Sequence, residues 1–96
     1  MASEKDAGED IGMRRRRLRY RAWHRGTREL DLLLGPFADA SSDAMPGAEL
    51  DAFEALLSEE DTAITAWLLG RETPPEVRKP LIDRLIAFRQ SAAAQQ

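Results

Sequence analysis

The sequence has no cysteine and a single histidine, His24. Without thiols there is no disulfide framework, no thiolate metal site and no cysteine nucleophile. One imidazole does not build a conventional zinc site. No glycine-rich strand–turn–helix for a dinucleotide is present, and no nucleophile is paired with a base. No apolar run approaches the roughly 20 residues that span a bilayer. The N-terminus lacks the basic start and apolar stretch of a secretory signal, and Glu4, Asp6, Glu9 and Asp10 are acids that mitochondrial presequences avoid. These absences point to a bacterial cytoplasmic protein that is not an enzyme, with a processed protein of the mitochondrial matrix as the second choice.

What is present is one domain's worth of chain, 96 residues, with room for one modest core. The formal charge of −3 argues against a general nucleic-acid binder, but it hides a strong segregation. Eight arginines lie between Arg14 and Arg28 with no acid among them, and ten acids lie between Glu29 and Gly70 with no Lys or Arg.

Met1 to Gly12 has little to bury and reads as a disordered tail. A first helix is expected from Met13 to His24, with Leu18, Ala22 and Met13 towards one face and Tyr20 and Trp23 on a neighbouring stripe. Arginines fill the rest of its circumference, so it needs packing and acidic neighbours to be stable. A second helix begins near Gly26, with Leu30, Leu33, Leu34 and Phe37 at amphipathic spacing. Pro36 lacks an N–H and crowds the carbonyl of Leu32, which predicts a kink or break there. Asp39 to Gly47 reads as a connection.

The third helix, about Ala48 to Leu57, turns Leu50, Phe53, Leu56 and Leu57 inward. Ser58-Glu59-Glu60-Asp61 has the composition of a helix start, with Ser58 as cap. The fourth helix carries Ile64, Trp67 and Leu68 and ends at Gly70. Arg71 to Lys79 reads as a loop, and Pro80 suits the first position of a fifth helix with Leu81, Ile82, Leu85, Ile86 and Phe88 as its apolar face. Residues 91–96 are expected to fray. No segment alternates with period two, so the expected fold is all-α, a compact bundle of five short helices over residues 13–90.

The charge changes sign at Arg25-Gly26-Thr27-Arg28-Glu29, between the first two helices. A glycine there brings the backbone to the surface, flanked by two arginines and a glutamate. The same residues also have a local explanation. Gly26 closes one helix as its left-handed residue, and Glu29 and His24 each sit at a helix end whose partial charge favours them.

Arg25-Gly26, Glu29-Leu30-Asp31 and Pro36-Phe37 resemble the start of the succinate dehydrogenase flavinylation factors, also called succinate dehydrogenase assembly factor 2. The likeness continues through Ala66-Trp67-Leu68-Leu69, similar to the family's "NWL" segment, then the Pro74-Pro75 loop and the Leu81 to Arg89 helix. It covers about residues 14 to 89. Ala66 replaces the family's Asn, and the run Arg14 to Arg17 is more basic than the family pattern. The resemblance implies a five-helix bundle that binds the flavoprotein subunit of succinate dehydrogenase, in some bacteria also fumarate reductase. It implies that the chain promotes covalent attachment of FAD to a histidine of that subunit, and it places the family's R-G-x-x-E motif on Arg25, Gly26 and Glu29.

On that reading the reactive groups belong to the flavoprotein, and the chain, a monomer when free that holds no FAD of its own, acts by orienting its partner. Gly26 permits close backbone approach, Glu29 accepts hydrogen bonds, and Arg25, Arg28 and Arg21 pair with partner carboxylates or carbonyls. Trp23 and His24 add contact area. The alternative is a small arginine-rich nucleic-acid-binding module that tracks phosphates with the helix from Arg14 to Arg21.

Overall fold

The computed structural model describes residues 9–94. Residues 1–8 of the expected tail and residues 95–96 of the expected frayed end lie outside the described residues. Among the described residues five α-helices follow one another: α1 (Ile11–Trp23), α2 (Arg28–Ser41), α3 (Gly47–Leu57), α4 (Asp61–Leu68) and α5 (Lys79–Ala94), with one 3-10 turn, Ser42–Ala44, between α2 and α3. No strand occurs among the described residues.

Each helix buries the line of residues its spacing marks out. Leu18, Ala22, Leu30, Leu34, Leu50, Phe53, Leu56, Ile64 and Leu85 are all buried, and Trp67 joins them. Helix α1 packs on α2 and α3, and α5 closes the core from the other side against α2, α3 and α4. Phe37 is the aromatic hinge of this core, with its ring 5.9 Å from Phe53 and edge-on to Phe88 at 5.6 Å. Complete burial of one such large apolar side chain stabilises by about 1.5–3 kcal/mol. Met13 does not join the core and is half exposed. It lies five residues before Leu18, which turns it roughly 140° away from the buried line.

Several local expectations are corrected. Helix α1 starts at Ile11, because Asp10 caps it: its Oδ1 accepts the Met13 N–H at 2.7 Å. Asp10 and Glu9 therefore belong to the folded part. Helix α2 runs unbroken through Pro36. The bond that proline forfeits belongs to Leu32, an exposed residue where water can substitute, while Leu34, Phe37 and Ala38 anchor both sides of it in the core.

Ser58 does not open α4. It ends α3, and its Oγ donates back to the Glu54 carbonyl at 3.1 Å; Glu60 stands at the N-cap of α4. At the other end of α4, Gly70 takes φ 72°. The Arg71 N–H reaches the Ala66 carbonyl at 2.8 Å and the Gly70 N–H reaches Trp67 at 3.2 Å, the paired closure that a left-handed glycine allows. Helix α5 starts one residue before Pro80 and continues to Ala94, so residues 91–94 are helical, not frayed.

The charge segregation is resolved by packing. Arg14 pairs with Asp51 at 2.6 Å and Glu54 at 2.9 Å, Arg17 with Glu9 at 2.7 Å and Glu54 at 3.0 Å, and Arg19 with Asp43 at 3.3 Å. Arg15 instead donates to two carbonyls, Ser42 at 2.8 Å and Met45 at 2.7 Å. Asp51, with Glu54, holds the Arg14 guanidinium above its ordinary range, and Glu9 with Glu54 does the same for Arg17. A cation raised in the folded state contributes stability below its ordinary value, as long as the partner carboxylates are ionised, and loses it only as the pH rises past that range, so this face stays charged and paired at physiological pH.

Candidate partner-docking site

The corner between α1 and α2 is built by local caps and one long reach. Helix α1 ends at His24, whose N–H bonds the Arg21 carbonyl at 3.2 Å. Gly26 then takes φ 108°, a conformation L side chains rarely adopt. Thr27 caps α2, its hydroxyl accepting the Leu30 N–H at 3.4 Å. Asp31 reaches back from the first turn of α2, and its Oδ1 accepts the Arg25 N–H at 2.6 Å. The loop is thereby fixed from both flanks.

Arg25 supplies the long reach. Its guanidinium crosses to the turn between α3 and α4, where it donates to the carbonyls of Leu57 and of Glu59 (2.7 Å) and pairs with Asp61 Oδ1 at 2.7 Å. Its side chain is only 11% exposed. The expectation that Arg25 pairs with an outside carboxylate meets a physical obstacle, since its donors are already engaged within the molecule. Arg21 is also turned inward, towards Ser58 Oγ at 3.3 Å and Glu54 at 3.7 Å.

Trp23 is likewise committed. Its ring lies on the backbone of Gly35, where any Cβ would collide with it, and its Nε1 donates to Asp39 at 3.1 Å. Gly35, next to the expected breaker Pro36, lets α1 and α2 approach. His24 is exposed and stacks on Tyr20 with centroids 4.0 Å apart. Its Nδ1 lies 2.7 Å from the Tyr20 carbonyl, and because a carbonyl only accepts, that nitrogen carries the proton.

The remaining three residues face out. Gly26, Arg28 and Glu29 are all exposed, and among the described residues neither Arg28 nor Glu29 makes a hydrogen bond or ion pair. The structure thus divides the seven candidates. Gly26, Arg28 and Glu29, with His24 beside them, form an open surface. Arg25, Arg21 and Trp23 hold that surface in place from behind. Tyr20, 65% exposed and stacked on His24, belongs with the open group, although its spacing on a helix read as part of an apolar stripe hid it.

The phosphate-tracking alternative loses its main support. Among the described arginines from 14 to 28, only Arg16 and Arg28 lack a bonded partner. With four of its six guanidiniums, those of Arg14, Arg17, Arg19 and Arg21, paired to acids, the helix has fewer counterions to release on contact with a nucleic acid. No helix among the described residues is long and apolar enough to cross a membrane.

Comparison with known proteins places the chain in a family. A family model described as flavinator of succinate dehydrogenase matches residues 16–89. A protein of Acetobacter pasteurianus named FAD assembly factor SdhE is 42% identical over 81 residues, which cover 83% of this chain and 74% of that one. A second protein of that name, from Legionella pneumophila, is 44% identical over 50 residues, 52% of this chain and 63% of its own. A Caenorhabditis elegans protein named succinate dehydrogenase assembly factor 2, mitochondrial, is 37% identical over 71 residues, 72% of this chain and 60% of its own.

Proposed function

Because this chain belongs to the family of flavinators of succinate dehydrogenase, we propose that its open corner docks on the flavoprotein subunit of that enzyme and promotes covalent attachment of FAD there. The chain is an assembly factor, not an enzyme in its own right. It carries no set of groups that would make the histidyl–flavin bond, so its contribution is orientation. A bound helper that favours the conformation in which acceptor histidine and flavin meet lowers the barrier by several kcal/mol without adding a reactive group.

The observation that carries this reading is the contrast within the corner. Arg25 fixes the loop with four internal contacts, whereas Gly26, Arg28 and Glu29 are exposed, and the side chains of Arg28 and Glu29 have no partner among the described residues. Inward-bonded arginine anchors behind exposed polar groups make a preorganised contact surface, and preorganisation reduces the cost of binding. Gly26 admits a partner backbone, Glu29 accepts its donors and Arg28 takes a carboxylate or carbonyl. The same corner serves for fumarate reductase where that flavoprotein is present, and the FAD involved is the partner's.

The test is covalent flavin in the partner, read by in-gel fluorescence after co-expression. Gly26→Arg and Glu29→Ala are expected to remain helical and to lose most flavinylation. Two folded variants that support normal flavinylation would remove the corner from the mechanism.

A further inference from the structure

Beside the open corner lies a hollow of about 250 Å³ lined by Thr27, Asp61, Thr62, Thr65, Ala66 and Arg71. Two features of the fold create it. Thr27 is brought there by the cap of α2, and Asp61 lies under Gly26, where a Cβ would stand 3.5 Å from its Oδ2. On the far side, the left-handed Gly70 reverses the chain so that Arg71 returns along α4, its N–H on the Ala66 carbonyl.

The chemistry of the lining is specific. Asp61 is the one carboxylate, and it is already neutralised by Arg25 at 2.7 Å. Arg71 is exposed and makes no side-chain hydrogen bond or ion pair among the described residues. Three threonines, Thr27, Thr62 and Thr65, line the same hollow, and their hydroxyls can donate. The hollow is thus mainly apolar, walled by Ala66 and threonine side chains, with Arg71 as its one cation without a bonded partner among the described residues and the threonine hydroxyls at its polar points. Its neighbour across Thr62 is lined by Glu59, Glu60 and Glu72, so an anion meets attraction on one side and repulsion on the other.

We infer that this hollow receives a carboxylate side chain of the partner flavoprotein, clamped by Arg71 and the threonine hydroxyls while the adjacent corner makes the main contact. The inference rests on the docking reading given above and adds to it a second contact, supplied by α4 and the turn after it. The contact is continuous with the corner through Thr27. An arginine with free donors facing a carboxylate gives a directional, charge-assisted bond, and the opposed signs of the two hollows fix the orientation of docking.

The experiment measures affinity of the full chain for the purified flavoprotein subunit by calorimetry across a salt series. The variants are Arg71→Glu, Gly26→Arg and, as a charge-matched control away from the hollow, Lys79→Glu. The expected result is at least a tenfold loss for Arg71→Glu with a shallower salt dependence, and a loss of less than twofold for Lys79→Glu. If Arg71→Glu binds like the parent while Gly26→Arg does not, the hollow is overturned and the corner stands. If Arg71→Glu and Lys79→Glu weaken binding equally, the effect is net charge and the clamp is overturned. If all three bind like the parent, the docking reading and the clamp both fail.

Discussion

The paired arginines of α1 and the single Arg28 of the corner, a few residues apart, meet opposite fates. On α1 the guanidiniums of Arg14, Arg17, Arg19 and Arg21 are drawn onto acids of α3 and the segments flanking α1 and α3, with Glu54 serving three of them. At the corner, Arg28 stands exposed beside Glu29, and among the described residues neither side chain has a hydrogen bond or ion pair. Arg25 lies between α1 and Arg28 in sequence and belongs with the paired arginines. Residue type does not separate the two fates; what separates them is whether a folded neighbour lies within reach. The basic run that suggested a phosphate-binding helix is a fastening between α1 and α3.

The sharpest way to break that comparison is to remove the fastening at the corner itself. Arg25→Ala leaves Asp61 without its cation and removes donors from the Leu57 and Glu59 carbonyls. Hydrogen bonds to charged groups contribute about 1.5–3 kcal/mol each and do not simply add, so a loss of about 3 kcal/mol is expected. That is a large share of the total stability of a small domain, roughly 5–15 kcal/mol. Urea unfolding checks it. A variant as stable as the parent would mean that Arg25 does not hold the corner, and the division into anchors and contacts would fall with it.

Next in size is Gly35→Ala, which tests the approach of α1 to α2. The new methyl group has to displace the Trp23 ring, whose Nε1 is tied to Asp39. Overpacking of this kind costs about 1–3 kcal/mol. In an exposed helix position the same change would stabilise by up to about 1 kcal/mol through helix propensity. The sign of the change in urea midpoint therefore decides whether the close approach governs.

The fold was largely legible in the sequence, and the site was legible in part, for identifiable reasons. The inward sets Leu50/Phe53/Leu56/Leu57 and Ile64/Trp67/Leu68 announced their helices because helical periodicity is a local property. Gly26 announced itself because a turn between helices needs a left-handed residue. Arg25 did not announce its role, since its partners Leu57, Glu59 and Asp61 lie more than 30 residues away. The break allowed for at Pro36 and the cap assigned to Ser58 failed for a related reason. Their local preferences were real, but tertiary packing carried α2 through the proline and the end of α3 took the serine.

The smallest expected change in stability carries the most information about function. Arg28→Ala removes a side chain that makes no described contact. Surface substitutions of that kind stay within about 0.5 kcal/mol, so the urea midpoint is expected to hardly move. Affinity for the flavoprotein is expected to fall several-fold in the same variant, because a free guanidinium at a preorganised surface is available to an outside acceptor. Arg25→Ala should behave the other way, losing stability first and affinity only as the loop loosens. Measured side by side on one partner, the two variants separate an arginine that shapes the surface from one that contacts it. If Arg28→Ala lost stability while keeping affinity, the assignment of the two arginines would have to be exchanged.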